Sequence, residues 1–177
     1  MIYLGLHNSY QSGAALIIDD KIIGAVSEER FNRVKNCGGI PNKSINYLLN
    51  EAKIKLSDVD KIIYGICTPG NPSNKIINKI KIKVSNLDNN HLEKIYERMQ
   101  SEIDWNKKYL DELDKWIQKN NLKNKIVYVD HHLSHAAGAY LTSPFDESLI
   151  FTCDGKGNFK SSTIMKAKKN IINELDF

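Results

Sequence analysis

Cysteine is scarce and scattered. The three thiols, Cys37, Cys67 and Cys153, are odd in number and show no C-x-x-C spacing, which argues against a disulfide framework or a thiolate metal site and for free thiols in a reducing compartment. Long apolar runs are missing too. No segment reaches the length needed to cross a bilayer, and the opening MIYLGLHNSY lacks both the basic region and the apolar stretch of a signal peptide. Nor is there a dense block of one charge. The formal net charge of +4 comes from lysines scattered through the chain, a pattern of solvated faces rather than a nucleic-acid footprint. These absences set the expectation of a soluble, cytoplasmic protein that binds neither nucleic acid nor membrane.

What is present is the balance of a folded domain, 41% hydrophobic and 26% charged residues, which excludes disorder. Its 177 residues suit one domain, or one domain and the start of another. Three strands open the chain, Ile2–Leu6, Ala14–Ile18 and Ile22–Ser27, joined by a polar loop at Asn8–Gly13 and a tight turn at Asp19-Asp20-Lys21. Their continuous apolar runs predict a sheet covered on both faces. A helix over Asn42–Lys53 carries Ile45, Leu48, Leu49 and Ala52 as one stripe. The strand Lys61–Cys67 follows, so a parallel pairing is expected. Pro69-Gly70-Asn71-Pro72 reads as a loop, and Lys75–Val84 fits either a short helix or a strand. His91–Asn120 has helical spacing as one long or two broken helices, then come the strand Ile126–Val129 and a helix from His131 to Leu141. Leu149–Cys153, a glycine-bearing loop at Asp154–Asn158, Ser161–Lys166 and Ile171–Leu175 repeat the plan of the first thirty residues.

The chemistry concentrates in Val129-Asp130-His131-His132-Leu133-Ser134-His135. Asp130 is placed to cap the helix. His131 and His135 lie four apart on one helical face, close enough for both imidazoles to hold one cation. His132 points roughly 100° away and is the bystander of the three. Asp154, at the end of the next strand, adds a carboxylate at the edge where α/β proteins place their clefts. Two imidazoles and one carboxylate leave coordination positions open, the pattern of a catalytic metal. The plainer reading is a pair of hydrogen-bonded core histidines, and three histidines in five residues at a strand-to-helix junction weigh against it. The loops Asn8–Gly13, with Asn8, Ser12 and Gly13, and Asp154–Asn158, with Gly155 and Gly157, offer backbone amides suited to phosphate.

Asp130-His131-His132-Leu133-Ser134-His135-Ala136 resembles the D-H-H-L-x-H-A signature of the nodulation and antibiotic-tailoring O-carbamoyltransferases. Further segments agree in order: Leu4-Gly5-Leu6 with Ser12-Gly13-Ala14-Ala15-Leu16; Glu28-Glu29-Arg30-Phe31-Asn32-Arg33-Val34-Lys35; Ser143-Pro144-Phe145-Asp146-Glu147; and Asp154-Gly155-Lys156-Gly157. The resemblance implies an α/β, actin-like (ribonuclease H-like) ATPase fold. Residues 1–146 would form the first lobe, with a helical insertion near 70–120, and residues 147–177 the first strands of a second lobe, truncated. It also implies that carbamoyl phosphate and ATP give carbamoyl adenylate, whose carbamoyl group passes to an acceptor hydroxyl. The metal, iron or zinc with magnesium accompanying the nucleotide, would sit on His131, His135 and Asp154. Arg30 and Lys35 would face anionic substrate. Where the family usually carries histidine followed by Asp or Asn, this chain has Tyr10-Gln11, with His7 the nearest imidazole; these are the candidate catalytic side chains of the first loop. The missing C-terminal part, or a partner chain, would complete the site. Two alternatives remain at this stage: another actin-like ATPase or kinase, and a non-catalytic half that binds a partner.

Overall fold

The computed structural model describes residues 1–67, 69 and 88–175, so the predictions for the loop at 69–72 and for Lys75–Val84 lie outside the described residues, Pro69 excepted. The chain forms two compact units, Met1–Cys67 with Lys108–Val129, and Thr68–Lys107 with Asp130–Phe177.

The first unit is built on five strands: β1 (Ile2–His7), β2 (Gly13–Ile18), β3 (Lys21–Ser27), β4 (Lys61–Tyr64) and β5 (Ile126–Tyr128). Their order is β3-β2-β1-β4-β5. β2 pairs antiparallel with β1 and β3, and β4 pairs parallel with β1 and β5, so β2 alone runs against the other four. This is the mixed sheet of the α/β, actin-like class expected from the sequence. Asp19 and Asp20, at φ 46° and 65°, close the β2–β3 hairpin as a two-residue turn with both centres left-handed. The expectation of a sheet covered on both faces is corrected. Leu4, Leu6, Ala14 and Leu16 are buried, whereas their alternates Tyr3, Gly5, Ala15 and Ile17 are half-buried, and Ile22 is 60% exposed on β3. The short apolar runs alternate in burial because one helix, α2 (Asn42–Glu51), packs on β2 and β3 through Ile45, Leu48 and Leu49.

Between β3 and α2 lies the single turn α1 (Glu29–Asn32). Pro41, the residue ahead of α2, has no side-chain acceptor for the helix's first amides. The buried carboxylate of Glu28 supplies one: it accepts from the amides of Lys43 at 3.1 Å and Ser44 at 2.8 Å and from the Ser44 hydroxyl at 2.8 Å. A negative group there satisfies amides the helix cannot and sits favourably in its dipole.

The long helical pattern resolves as one helix, α3 (Asn89–Lys119). It ends where Asn121 adopts φ 57°, with the Leu122 amide bonded to the Ile117 carbonyl and the Asn121 amide to that of Gln118. That paired closure, with Leu122 buried, is how a left-handed residue stops a helix.

In the second unit, α4 (His131–Leu141) packs on the antiparallel sheet β6 (Glu147–Gly157), β7 (Lys160–Lys168) and β8 (Ile171–Glu174). The helix has the bounds predicted for it. The glycine-bearing loop does not: Asp154–Gly157 is the irregular end of β6, bulged between Cys153 and Gly157. The turn itself is Asn158-Phe159, at φ 49° and 65°. Thr152, Thr163, Met165 and Ala167 are buried on the side carrying α4. The opposite side shows an apolar row to solvent, with Leu149 72%, Phe151 68% and Ile171 63% exposed.

Candidate metal centre

Helix α4 begins on a firm cap. Asp130 accepts from the Leu133 amide at 3.0 Å and from the Asn158 side-chain amide at 2.8 Å. Burial pushes its carboxyl up, but those two donors, with the Lys160 cation and the His132 amide, outweigh it and hold the pKa below the usual carboxylate value. The same residue thus caps the helix and ties it to the β6–β7 turn.

From this start His131 and His135 fall on one face. Nε2 of His131 lies 2.7 Å from Oδ2 of Asp154 and 3.1 Å from Nε2 of His135, and His135 Nε2 is 3.2 Å from the same carboxylate oxygen. Their ligand atoms all lie within 4.8 Å of one another. Burial raises the Asp154 pKa, yet hydrogen bonds from His131, the Gly155 amide and His135 prevail and leave it lowered. Two imidazole nitrogens in direct contact cannot both donate; one must present its lone pair to the other. A cation removes that conflict. Bonds of roughly 2.0–2.2 Å put neighbouring donors about 3.0 Å apart at right angles and about 3.4 Å apart at the tetrahedral angle. The three observed separations lie within about 0.3 Å of the right-angled spacing and need roughly 0.2–0.7 Å of opening for the tetrahedral one. The residues therefore fit a divalent transition metal with a three-donor face and open positions beyond it.

Two neighbours keep the face in place. A Cβ on Gly157 would lie 2.5 Å from Cγ and 2.9 Å from Nε2 of His131, so the second glycine of Asp154-Gly155-Lys156-Gly157 is the space the imidazole occupies. His132, set aside as a bystander, is wholly buried. Its Nε2–H donates to the Lys160 carbonyl at 3.1 Å, its Nδ1 accepts from the Thr152 hydroxyl at 2.8 Å, and Thr163 donates to Thr152 at 2.7 Å. The chain of bonds ties α4 to both β6 and β7, one residue away from the candidate ligand His131. A period of helical spacing predicts which way His132 points, but not that two threonines on separate strands meet it.

The first unit holds the remaining candidates. His7 at the end of β1 donates from Nε2 to the Tyr10 carbonyl at 2.8 Å, and Tyr10 is 69% exposed. The Asn8 side chain is buried; it donates to the Tyr109 carbonyl and to Glu112 and accepts from the Tyr64 hydroxyl at 2.8 Å. Burial drives the Tyr64 hydroxyl far above its ordinary pKa, which keeps it a donor. Ser12 is buried beside Cys37, with Oγ and Sγ 3.7 Å apart. Gly13 is a packing glycine, since a Cβ there would meet the Val26 carbonyl at 2.8 Å. Arg30 and Lys35 are exposed. Gly155, exposed on β6, accepts at its carbonyl from Arg98. Glu28, Glu102 and Arg98 were not singled out from sequence; each acts across a separation that no local spacing encodes.

A mixed α/β protein with a two-histidine, one-carboxylate face at a helix N-terminus is the class these features define. The chain belongs to the carbamoyltransferase N-terminus family, whose model matches residues 3–176. It is 33% identical over 169 residues to nodulation protein NolNO of Sinorhizobium fredii, covering 91% of this chain and 22% of that protein. An uncharacterized Synechocystis protein is 31% identical over 171 residues, covering 94% of this chain and 27% of its own length. The chain thus spans about a quarter of the curated relatives it matches. Among solved structures it is similar, at TM-score 0.47 and 13% identity, to a Pseudomonas aeruginosa protein described as resembling peptidase YEAZ, covering 99% of this chain and 64% of that one. No helix among the described residues is long and apolar enough to cross a membrane.

Proposed function

We propose that this chain supplies the metal-centred part of an ATP-dependent O-carbamoyltransferase. Carbamoyl phosphate, ATP and water give carbamoyl adenylate, phosphate and pyrophosphate; the acceptor hydroxyl oxygen then bonds to the carbamoyl carbon as its bond to the adenylyl phosphate oxygen breaks, releasing AMP and the hydroxyl proton. The observation that carries the reading is the convergence of His131, His135 and Asp154 within a chain of this family. An imidazole-rich set with one carboxylate suits iron or zinc, with magnesium accompanying ATP. When bound, such a metal supplies electrophilic polarisation of an oxygen. The chain's own residues do the rest: Gly157 leaves the space His131 occupies, Asp130 fixes the helix start, and the His132–Thr152–Thr163 chain holds the strand that carries Asp154. In this reading Asn8, Ser12, Gly13, Gly155 and Gly157 line the phosphate-binding segments, Arg30 and Lys35 attract anionic substrate, and His7 or Tyr10 stands where the family places a histidine.

Further polypeptide, from a longer chain or a partner, covers the apolar row Leu149, Phe151 and Ile171. The whole acts in the cytoplasm, consistent with three free thiols. Metal analysis of purified His131→Ala and His135→Ala tests the centre. Each variant should lose most of its bound iron or zinc while keeping the wild-type circular dichroism; full metal content in both sinks the assignment.

A further inference from the structure

A second feature of the same unit lies beside the metal face and is not accounted for by it. His91, Lys94, Ile95, Arg98, Met99 and Glu102 recur at helical spacing, so they form one continuous stripe on the N-terminal half of α3. That stripe and the hairpin residues Gly155, Phe159, Lys160 and Ser161 line a groove of about 490 Å³. The groove is amphipathic. Ile95, Met99 and Phe159 give it an apolar wall, and Lys94, Arg98 and Lys160 give it cations. Lys160 pairs with Glu174, and His91 with Asp88. Lys94 and Arg98 are exposed and have no ion-pair partner among the described residues.

The groove is held in shape at some cost. Phe159 takes φ 65°, a conformation that a bulky side chain rarely adopts and that a two-residue hairpin usually gives to glycine. Its amide donates at 2.8 Å to Glu102, whose side chain is buried under the groove. Arg98 Nη2 donates at 2.9 Å to the carbonyl of Gly155, the residue after ligand Asp154. That bond uses one of five guanidinium donors. An aromatic ring kept in a strained turn, opposite two cations without acidic partners, is a recognition surface rather than a packing solution.

We propose that this groove is a subsite for a phosphorylated ligand whose organic body presents an apolar or aromatic face, with Lys94 and Arg98 on the phosphoryl group and Phe159, Met99 and Ile95 on the body. The chemistry it would serve rests on the carbamoyltransferase reading; the binding itself does not. Arg98 joins the two places, since the guanidinium that meets the phosphoryl group also holds the backbone next to Asp154.

Phenyl phosphate is the minimal probe, titrated calorimetrically into the full chain, with inorganic phosphate as the head alone and benzyl alcohol as the body alone. Phenyl phosphate should bind at least tenfold more tightly than either. Lys94→Gln, which removes no structural bond, should weaken it severalfold without moving the melting temperature, its combination with Arg98→Gln should weaken it at least tenfold, and Phe159→Leu should weaken it severalfold. Carbamoyl phosphate, a phosphoryl head without an apolar body, should compete no better than inorganic phosphate; competition as strong as that of phenyl phosphate itself overturns the placing of the body on Phe159, Met99 and Ile95. Equal binding of inorganic phosphate, or unchanged affinity in the double variant, overturns the proposal. The same titration on His131→Ala keeps the two readings separate: lost metal with retained phenyl phosphate binding supports both, whereas retained metal with lost binding in the double variant supports the groove alone.

Discussion

Gly155 and Gly157 stand two residues apart in one motif and make opposite predictions on replacement by alanine. At Gly157 the new Cβ would meet Cδ2 of His131 first, closer than the 2.5 Å that separates it from Cγ, while carbon–carbon contact is comfortable only at roughly 3.5–4.0 Å. The imidazole must retreat by about 1.5 Å. It is buried, so that movement is resisted by its surroundings, and overpacking of this kind costs roughly 1–3 kcal/mol. For a chain of this length the loss lowers the melting temperature by roughly 2–12 °C. A shift of that size also breaks the 2.7 Å contact between His131 and Asp154 and withdraws one donor from the metal face, so affinity should fall by roughly 10–100-fold, the range seen when a ligand loses its orientation. At Gly155 a Cβ meets nothing within 4 Å, and stability should stay within about 0.5 kcal/mol of the parent with metal affinity unchanged. Thermal melts and competition against a chromophoric chelator measure both quantities on both variants. Wild-type metal affinity in Gly157→Ala, or an equal loss in Gly155→Ala, would refute the claim that Gly157 exists to make room for His131.

Two other substitutions test the supports of the units. Glu28→Ala leaves the amides of Lys43 and Ser44 and the Ser44 hydroxyl without their acceptor, and chemical denaturation should show a loss of roughly 2 kcal/mol, while replacing the exposed Arg30 of the same turn should change little. Asp130→Asn tests the acid limb of stability. Because the folded pKa of Asp130 lies below its ordinary value, the carboxylate's contribution is present above the unfolded pKa and lost as pH falls through the folded one. Asp154 is shifted in the same direction. The melting temperature of the parent should therefore fall on acidification from about pH 5 downward; the Asn variant should start lower at neutral pH and fall less steeply, and parallel curves would contradict the assignment.

The parts of the site that the sequence discloses are those governed by local rules. A capping residue, a four-residue histidine spacing and a turn after an apolar run each operate within a few positions, so α4 and its cap Asp130 are legible with their bounds, and the three metal candidates converge. The long helix was legible as spacing but ambiguous as one helix or two, because the Asn120-Asn121 stop is recognisable only at its true end. Burial depends on what lies across the sheet, which the sequence does not show: β3 is the edge strand, and its adjacent Ile22 and Ile23, on opposite faces, are 60% and 42% exposed. The loop at Asp154–Asn158 was misplaced for the same reason. Glycine signals a turn, but here Gly155 and Gly157 belong to a bulged strand end, and the turn falls on Asn158-Phe159; asparagine suits a left-handed centre, whereas the bulky Phe159 side chain does not suggest one.

That displacement has a functional consequence. Had Asp154 sat in a free loop, its carboxylate would have been oriented only by the metal it was meant to hold. On a strand end it is oriented beforehand, by the register of β6 against β7, by Arg98 on the adjacent carbonyl, and by the His132 chain that fixes the strand to the helix bearing the other two donors. A cation bound by these residues would not spend its binding energy on ordering them. The residues that do this ordering are polar, buried and distant in sequence, and each looks ordinary on its own. Replacing His132 with alanine should therefore weaken metal binding while leaving all three ligands in the chain, a result that a site assembled by the metal itself would not produce.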